Sequence, residues 1–169
     1  LSERRRGDPA GSLMYRPRPV RRGFSPPVSF LRAVANKDRY LYIRRSRIPG
    51  AGKGLFTKVD IEKGERVTEY KGKLQRWSEV KDEDGYNAYI FKINSRWAVN
   101  ALPAVKTLGR YANDARGLSR VEGLRNNSEY DTEGKKVYIV ATRKIRKGEE
   151  VLVDYGAAFW RLIRKIRGS

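Results

Sequence analysis

The 169-residue sequence contains no cysteine and no histidine. Their absence excludes disulfide bonds, zinc sites with cysteine or histidine ligands, thiol nucleophiles and histidine-based catalytic triads. No apolar run approaches the length of a membrane span, and no secretory signal is recognisable. The length is sufficient for one domain with a hydrophobic core of its own.

Acidic residues are scarce relative to basic ones. The chain has 19 Asp and Glu against 38 Lys and Arg, which gives a formal net charge of +19. Such a balance favours polyanionic partners, namely nucleic acid, nucleosomes or an anionic membrane surface. It also serves simply to keep a protein soluble, so charge alone does not choose a partner.

Residues 1–35 differ in composition from the rest of the chain. They hold five of the seven prolines, eight Arg and only two acids, Glu3 and Asp8. Segments such as 16–19 (RPRP) favour extended or polyproline conformations. The region is therefore either a disordered tail or linker, or a basic arm that holds a phosphate backbone.

From residue 40 onward, the pattern is typical of short β-strands separated by glycine turns. We predict strands at 40–43, 55–57, 65–70, 86–93, 97–101 and 137–142, and a last strand that ends at Tyr155. One or two helical turns are expected within 104–112. Apolar residues at helical spacing predict an amphipathic helix over 157–166.

A glycine-rich loop, Gly50-Ala51-Gly52-Lys53-Gly54, precedes the second predicted strand. Three glycines in five positions allow backbone amides to approach a ligand closely. A phosphate loop is the rival interpretation. The sequence does not fit it, because Gly54 follows Lys53 where that motif needs Ser or Thr, and because no helical pattern follows.

Three later segments follow one another in a recognisable order. Residues 108–115 read LGRYANDA, 126–130 read NNSEY and 148–156 read GEEVLVDYG. With the glycine-rich loop, they resemble the SET domain of protein lysine methyltransferases. That family carries Gly-x-Gly, then Arg-Phe-x-Asn-His-Ser, then Gly-Glu-Glu-Leu-x-x-Asp-Tyr. Residues 89–94 (YIFKIN) also resemble a further family segment, Tyr-x-Phe-x-Ile-Asp.

The resemblance covers roughly residues 40–160. It implies a mainly β fold, with small sheets around a threaded, knot-like C-terminal segment and a short C-terminal helix. We therefore expect a basic Pro/Arg-rich tail (1–35), a SET domain (36–160) and a basic helical extension (161–169). The predicted helix is either a docked amphipathic element or a replacement for the zinc-bound C-terminal segment of many family members.

The resemblance also implies a reaction, the S-adenosylmethionine-dependent methylation of a protein lysine. Tyr155 matches the motif tyrosine whose hydroxyl lies at the methyl-transfer point, and Tyr89 matches a tyrosine that lines the lysine channel. Tyr130 lies where some members place a further channel tyrosine. For Tyr89 and Tyr130, packing in the core remains an open alternative. The implied cofactor-binding residues are Gly52, Lys53, Gly54, Arg110, Tyr111, Asn113, Asp114 and Trp160.

The sequence departs from the family pattern at Asp114 and Ala115, where the family has His-Ser. A cofactor contact through the backbone would survive this change, and an acid near a sulfonium would help electrostatically. The packing and hydrogen bonds of the imidazole would be lost. A second departure is Val153, which replaces an aromatic residue at a position that influences how many methyl groups the channel accepts.

The sequence is therefore compatible with two functions. One is an active methyltransferase acting on a histone-tail lysine, with the acidic stretch 79–84 receiving the basic peptide. The other is a catalytically weak SET-like module that binds nucleic acid or chromatin. We expect contact with a nucleosome or DNA through the basic tail, no membrane partner and no zinc. The expected location is nuclear in a eukaryote and cytoplasmic otherwise.

Overall fold

The computed structural model describes residues 37–83 and 86–168. The predicted tail at 1–35 and the last residue of the acidic stretch, Asp84, lie outside these ranges. Within the described residues, no helix is both long and apolar enough to cross a bilayer.

Nine short strands and two helices make up the fold in the described ranges. The strands are β1 (Leu41–Arg45), β2 (Lys53–Thr57), β3 (Arg66–Glu69), β4 (Lys73–Arg76), β5 (Ile90–Lys92), β6 (Trp97–Asn100), β7 (Ser128–Glu133), β8 (Lys136–Ala141) and β9 (Glu150–Val151). The helices are α1 (Trp77–Val80) and α2 (Ala157–Arg167), and 3₁₀ turns span Asp38–Tyr40, Lys81–Glu83 and Gly109–Tyr111.

The strands form three small antiparallel sheets, with the orders β1-β2-β9, β3-β8-β7 and β4-β6-β5. Strand β8 shows why they form, because Val137, Ile139 and Ala141 alternate inward while their neighbours are more exposed. The β7–β8 hairpin closes at Gly134, whose φ of 61° suits a two-residue turn. The predicted mainly β fold of small sheets with a C-terminal helix is confirmed.

The segment after β9 passes between two other parts of the chain. On one side, the Val153 amide donates to the Asn113 carbonyl at 2.8 Å. On the other side, the Asp154 amide donates to the Ser128 carbonyl at 3.1 Å, and both bridges run parallel. This threading brings Tyr155 beside residues 112–113, as expected for two segments that the resemblance to SET domains assigns to one site.

The side chain of Asn127 holds the threaded segment in place. Asn127 is 1% exposed, and its Oδ1 accepts from the Leu152 amide at 2.9 Å. Its Nδ2 donates to the Glu150 carbonyl at 2.8 Å. One amide side chain thus completes the backbone hydrogen bonding of a buried segment that has too few strand partners.

One detail of the predicted elements was wrong. The predicted strand at 86–93 is regular only at Ile90–Lys92, because the Asn87 Oδ1 accepts from the Tyr89 amide at 3.1 Å and closes a turn. The region 104–112 contains a single 3₁₀ turn, Gly109–Tyr111, in agreement with the one or two helical turns expected there. Helix α2 runs without a break across the boundary expected between 160 and 161.

We predict that Asn127→Ala lowers the free energy of unfolding by about 2–4 kcal/mol, because it leaves one buried amide and one buried carbonyl without partners. Chemical denaturation measures the loss. The matched control is Asn94→Ala, which removes two acceptor contacts at an exposed turn and should cost less than about 1 kcal/mol. Equal losses for the two variants would show that the threaded segment does not depend on Asn127.

Candidate active site

A cavity of about 640 Å³ lies where the threaded segment meets the glycine-rich loop, which is within the size range of small-ligand sites. Most of the catalytic and cofactor-binding residues predicted from the sequence line this cavity: Gly52, Lys53, Tyr89, Arg110, Tyr111, Asn113, Asp114, Tyr155 and Trp160. Gly54 and Tyr130 are absent from the lining. The threading thus gathers residues that are about 100 positions apart in the sequence.

Tyr155 stands at the centre of an aromatic cluster. Its ring lies 5.9 Å from that of Trp160 and nearly parallel to it, and 5.1 Å from that of Phe159, edge on. Behind it, the ring of Tyr130 stacks at 6.3 Å. The Tyr155 hydroxyl donates to the Ala112 carbonyl at 2.7 Å, so its oxygen is fixed at the base of the cavity.

Tyr130 connects Tyr155 with a second set of rings. Its centroid lies 4.8 Å from that of Phe91 and 5.4 Å from that of Tyr70. Tyr130 therefore packs behind the cavity wall, against the aromatic core, while Tyr89 lines the cavity itself.

The phenols of Tyr155 and Tyr70 stay protonated well above neutral pH. Burial is the main cause that raises the pKa of Tyr155 above its ordinary value of 10.0, and the nearby Tyr70 and Asp114 raise it further. Burial also raises the pKa of Tyr70, against the opposing effect of Arg110. Both groups therefore act in the site as neutral hydroxyls rather than as bases.

Arg110 is held between aromatic rings at the edge of the cavity. Its guanidinium lies 4.3 Å from the ring centre of Tyr89 and 5.5 Å from that of Tyr111. One terminal nitrogen donates to the Leu102 carbonyl at 3.0 Å. Its Nε is buried with no hydrogen-bond partner among the described residues. The site thus contains a cationic side chain whose hydrogen-bonding capacity the described residues do not fill.

A buried carboxylate holds the segment that leads into the glycine-rich loop. Glu150 is 2% exposed and accepts from the Ser46 hydroxyl at 2.6 Å and from the Arg47 amide at 2.8 Å. A Cβ at Gly54 would lie 2.2 Å from a Glu150 oxygen, so glycine is required there for packing. The Asn113 Nδ2 donates to the Lys53 carbonyl at 3.0 Å and links this loop to the threaded region.

Asp114 is also buried, with 3% of its surface exposed. Its Oδ1 accepts from the Arg116 amide at 2.8 Å and from the Asn126 Nδ2 at 2.7 Å. Its Oδ2 accepts from the Tyr155 amide at 2.8 Å and from the Trp160 Nε1 at 2.7 Å. Four protein donors therefore compensate the burial of this charge.

Helix α2 closes one side of the cavity. Phe159, Trp160, Ile163 and Arg167 face the cavity, while Arg161, Arg164 and Lys165 are exposed. The amphipathic helix predicted from the sequence is confirmed, and it covers the cavity with its apolar face.

Sequence reasoning missed Tyr70 and Gly117 as parts of the site. The Tyr70 hydroxyl donates to the Tyr89 carbonyl at 3.0 Å, which helps to set the wall that Tyr89 forms. An aromatic residue directly after β3 was the available signal for Tyr70. Nothing in the local sequence marks Gly117, because its role depends on the distant Trp160 packing against it.

Comparisons with known proteins are consistent with this geometry. The chain is 34% identical to histone-lysine N-methyltransferase set-1 of Caenorhabditis elegans over 115 residues, which are 62% of this chain and 46% of that protein. It is 28% identical to N-lysine methyltransferase KMT5A-A of Xenopus laevis over 124 residues, which are 68% of this chain and 36% of that protein. The chain thus spans less than half the length of these curated relatives.

A similar fold occurs in Polycomb Repressive Complex 2 of Chaetomium thermophilum, in an autoinhibited conformation bound to S-adenosylmethionine. The TM-score is 0.58 at 26% identity, and the match covers 79% of this chain and 17% of that one. The family model described as SET domain matches residues 52–156, which is more than half of the sequence. The chain therefore belongs to the SET domain family.

Proposed function

We propose that this chain is an S-adenosylmethionine-dependent protein-lysine N-methyltransferase that acts on a histone-tail lysine in chromatin. The observation that carries the proposal is the Tyr155 hydroxyl, which is fixed by the Ala112 carbonyl at the base of a cavity lined by the family motifs. Relatives named as histone-lysine and N-lysine methyltransferases support it, as does a similar structure bound to S-adenosylmethionine.

The lining of the cavity suits S-adenosylmethionine. The guanidinium of Arg110 at the edge of the cavity offers a positive charge for the carboxylate of the cofactor, and the indole of Trp160 offers a flat apolar surface for the adenine. When bound, the cofactor supplies an activated methyl group on a sulfonium. The loop at Gly52 and Lys53 and the segment at Asn113 would form the remaining contacts.

The protein's part in the reaction is to orient a neutral amine. The only hydrogen of the Tyr155 hydroxyl is donated to the Ala112 carbonyl, so its oxygen presents lone pairs to the cavity. An amine N–H of the substrate lysine can donate to that oxygen, which points the nitrogen lone pair along the line of displacement. The ring of Tyr89 narrows the same space and limits the approach of water.

Water, rather than a residue of the site, takes the proton of the lysine ammonium. Tyr155 and Tyr70 are held in their protonated forms by burial, and the Asp114 oxygens already accept four hydrogen bonds. The amine must therefore enter in its neutral form, which is a small fraction near pH 7 because a free lysine has a pKa of about 10.4.

We predict that Tyr155→Phe lowers the rate of methyl transfer by about 100-fold or more, because it removes the orienting oxygen but keeps the packing ring. Calorimetric binding of S-adenosylmethionine should be nearly unchanged. The matched control is Tyr138→Phe, since the Tyr138 ring packs under Arg66 away from the cavity. If the Tyr155 variant stays active, Tyr155 is a core residue and the mechanism fails.

The pH dependence of the methyl-transfer rate tests whether the Tyr155 hydroxyl keeps its proton. The single-turnover rate should rise about tenfold per pH unit below the lysine pKa, as the neutral amine becomes more abundant. Because burial raises the pKa of Tyr155, the hydroxyl keeps its proton and the rate should show no decline up to about pH 10. Circular dichroism over the same range controls for unfolding. A decline that begins at lower pH while the fold is intact would contradict this assignment.

A histone in chromatin fits the charge distribution of the chain. The net charge of +19 attracts nucleosomal DNA, and the same charge repels a free basic tail. The exposed carboxylates Glu79, Asp82 and Glu83 form a local acidic surface for a basic peptide. Residues 1–35 remain a proposed DNA-binding arm. A chromatin substrate would place the enzyme in the nucleus.

We predict that nucleosomes are methylated faster than free histones at low salt, and that added salt removes this advantage because it screens contacts with DNA. Mass spectrometry of labelled methyl groups on both substrates over a salt series measures the difference. Equal methylation at every salt concentration would refute DNA anchoring. If the chain binds no S-adenosylmethionine, that result favours the alternative of a catalytically weak SET-like module that binds nucleic acid or chromatin.

A further inference from the structure

We propose that Asp114 is a positioning residue whose carboxylate holds helix α2 over the cavity through Trp160 and also fixes the backbone of Tyr155. The hydrogen bond between the Asp114 carboxylate and the Trp160 indole is called the latch. This inference rests on the proposed cofactor-binding function of the cavity. It assigns a role to the position at which the sequence departs from the His of its family. It also makes α2 a closing element of the site rather than an appended helix.

The two Asp114 oxygens bind different parts of the chain, which supports the latch. Oδ1 binds the loop that follows, through the Arg116 amide and the Asn126 side chain. Oδ2 binds the Tyr155 amide at 2.8 Å and the Trp160 Nε1 at 2.7 Å. A single oxygen therefore joins the backbone of the proposed catalytic tyrosine to the first turn of α2.

The position of the indole is further set by its packing. Its ring lies parallel to that of Tyr155, with an interplanar angle of 10°. On another side, a Cβ at Gly117 would come within 2.9 Å of the Trp160 ring. The φ of Gly117 lies outside the left-handed region, so this glycine is needed for space and not for backbone conformation.

Helix α2 has few other polar attachments at its beginning. Its N-cap is Gly156, and no side chain caps the helix in the part of the chain that the structure describes. Trp160 forms a hydrogen bond to the main body, while Phe159 and Ile163 contribute apolar contacts. A helix held in this way depends strongly on the charge-assisted bond between Trp160 and Asp114.

A carboxylate is suited to this arrangement in a way that imidazole is not. A carboxylate accepts through two oxygens with about four lone-pair sites, whereas a neutral imidazole accepts through one nitrogen. Only the carboxylate can accept hydrogen bonds from the loop, from the Tyr155 amide and from the Trp160 indole at the same time. Asp114 and Trp160 therefore act as a pair, and the loss of the family His is compensated by the latch.

The latch has consequences for ligand binding and turnover that can be separated. Releasing the indole removes one wall of the cavity, so the Kd for S-adenosylmethionine should rise. Trp160→Phe deletes the Nε1–H donor but leaves the Tyr155 amide bound to Asp114. Asp114→Asn replaces one acceptor oxygen with an amide donor, so it disturbs either the loop or the shared bond to Tyr155 and Trp160.

The test is calorimetric titration with S-adenosylmethionine, combined with steady-state kinetics. Trp160→Phe and Gly117→Ala should raise the Kd about three- to tenfold, and Asp114→Asn should raise the Kd and also lower kcat. The matched controls are Trp97→Phe and Asp60→Asn, both outside the cavity lining. In a double-mutant cycle, Asp114→Asn and Trp160→Phe should be non-additive in their effect on Kd.

A second readout needs no cofactor. In the absence of ligand, trypsin should cleave α2 at the exposed Arg161, Arg164 and Lys165 faster in Trp160→Phe and Gly117→Ala than in Trp97→Phe. Mass spectrometry of the C-terminal fragments measures the rates, so the test stands even if Asp114→Asn does not fold.

The outcomes separate this inference from the proposed function. A wild-type chain that binds no S-adenosylmethionine would overturn the function. A wild-type chain that binds, with Trp160→Phe and Gly117→Ala binding equally well and resisting trypsin equally, would overturn the latch alone. Additive effects in the double-mutant cycle would show that Asp114 and Trp160 act separately and would also overturn it.

Discussion

Residues 151–155 pass between two other segments of the chain, and this passage fixes the position of the candidate site. The Val153 and Asp154 amides bind carbonyls on opposite sides, at Asn113 and Ser128. Between them, the Asn127 side chain binds the backbone of Leu152 and Glu150. Because these groups are buried, each of these hydrogen bonds would cost free energy if it were left unmade. The threaded segment therefore has a single register in which its buried backbone groups are hydrogen-bonded. The position of Tyr155 follows from that register.

Buried carboxylates join the threaded segment to the walls of the cavity. Glu150 ties the loop at Ser46 and Arg47 to β9, and Asp114 ties Tyr155 and Trp160 to the segment after Asn113. A buried charge is tolerated only when hydrogen bonds replace its lost hydration, and both groups meet that requirement. In a chain with a net charge of +19, the acidic residues at the site are therefore mainly structural.

Much of the fold was predictable from the sequence, since alternating apolar residues marked β8 and helical spacing marked α2. The order of the motifs also predicted correctly that Tyr155, Asn113 and the glycine-rich loop meet at one cavity. What could not be predicted depends on contacts between distant residues. Tyr70 and Gly117 belong to the site only because of where Tyr89 and Trp160 pack. The shortness of the strand predicted at 86–93 depends on one local Asn87 hydrogen bond that periodicity does not report.

The proposed function requires that one cavity hold S-adenosylmethionine with its methyl group directed at the Tyr155 hydroxyl. A crystal structure of the chain in complex with S-adenosylmethionine tests this most directly. We expect the cofactor to lie between the glycine-rich loop and α2, with its carboxylate near Arg110 and its methyl group facing the Tyr155 oxygen. A cofactor bound elsewhere, or one whose methyl group faces away from Tyr155, would overturn the proposed function.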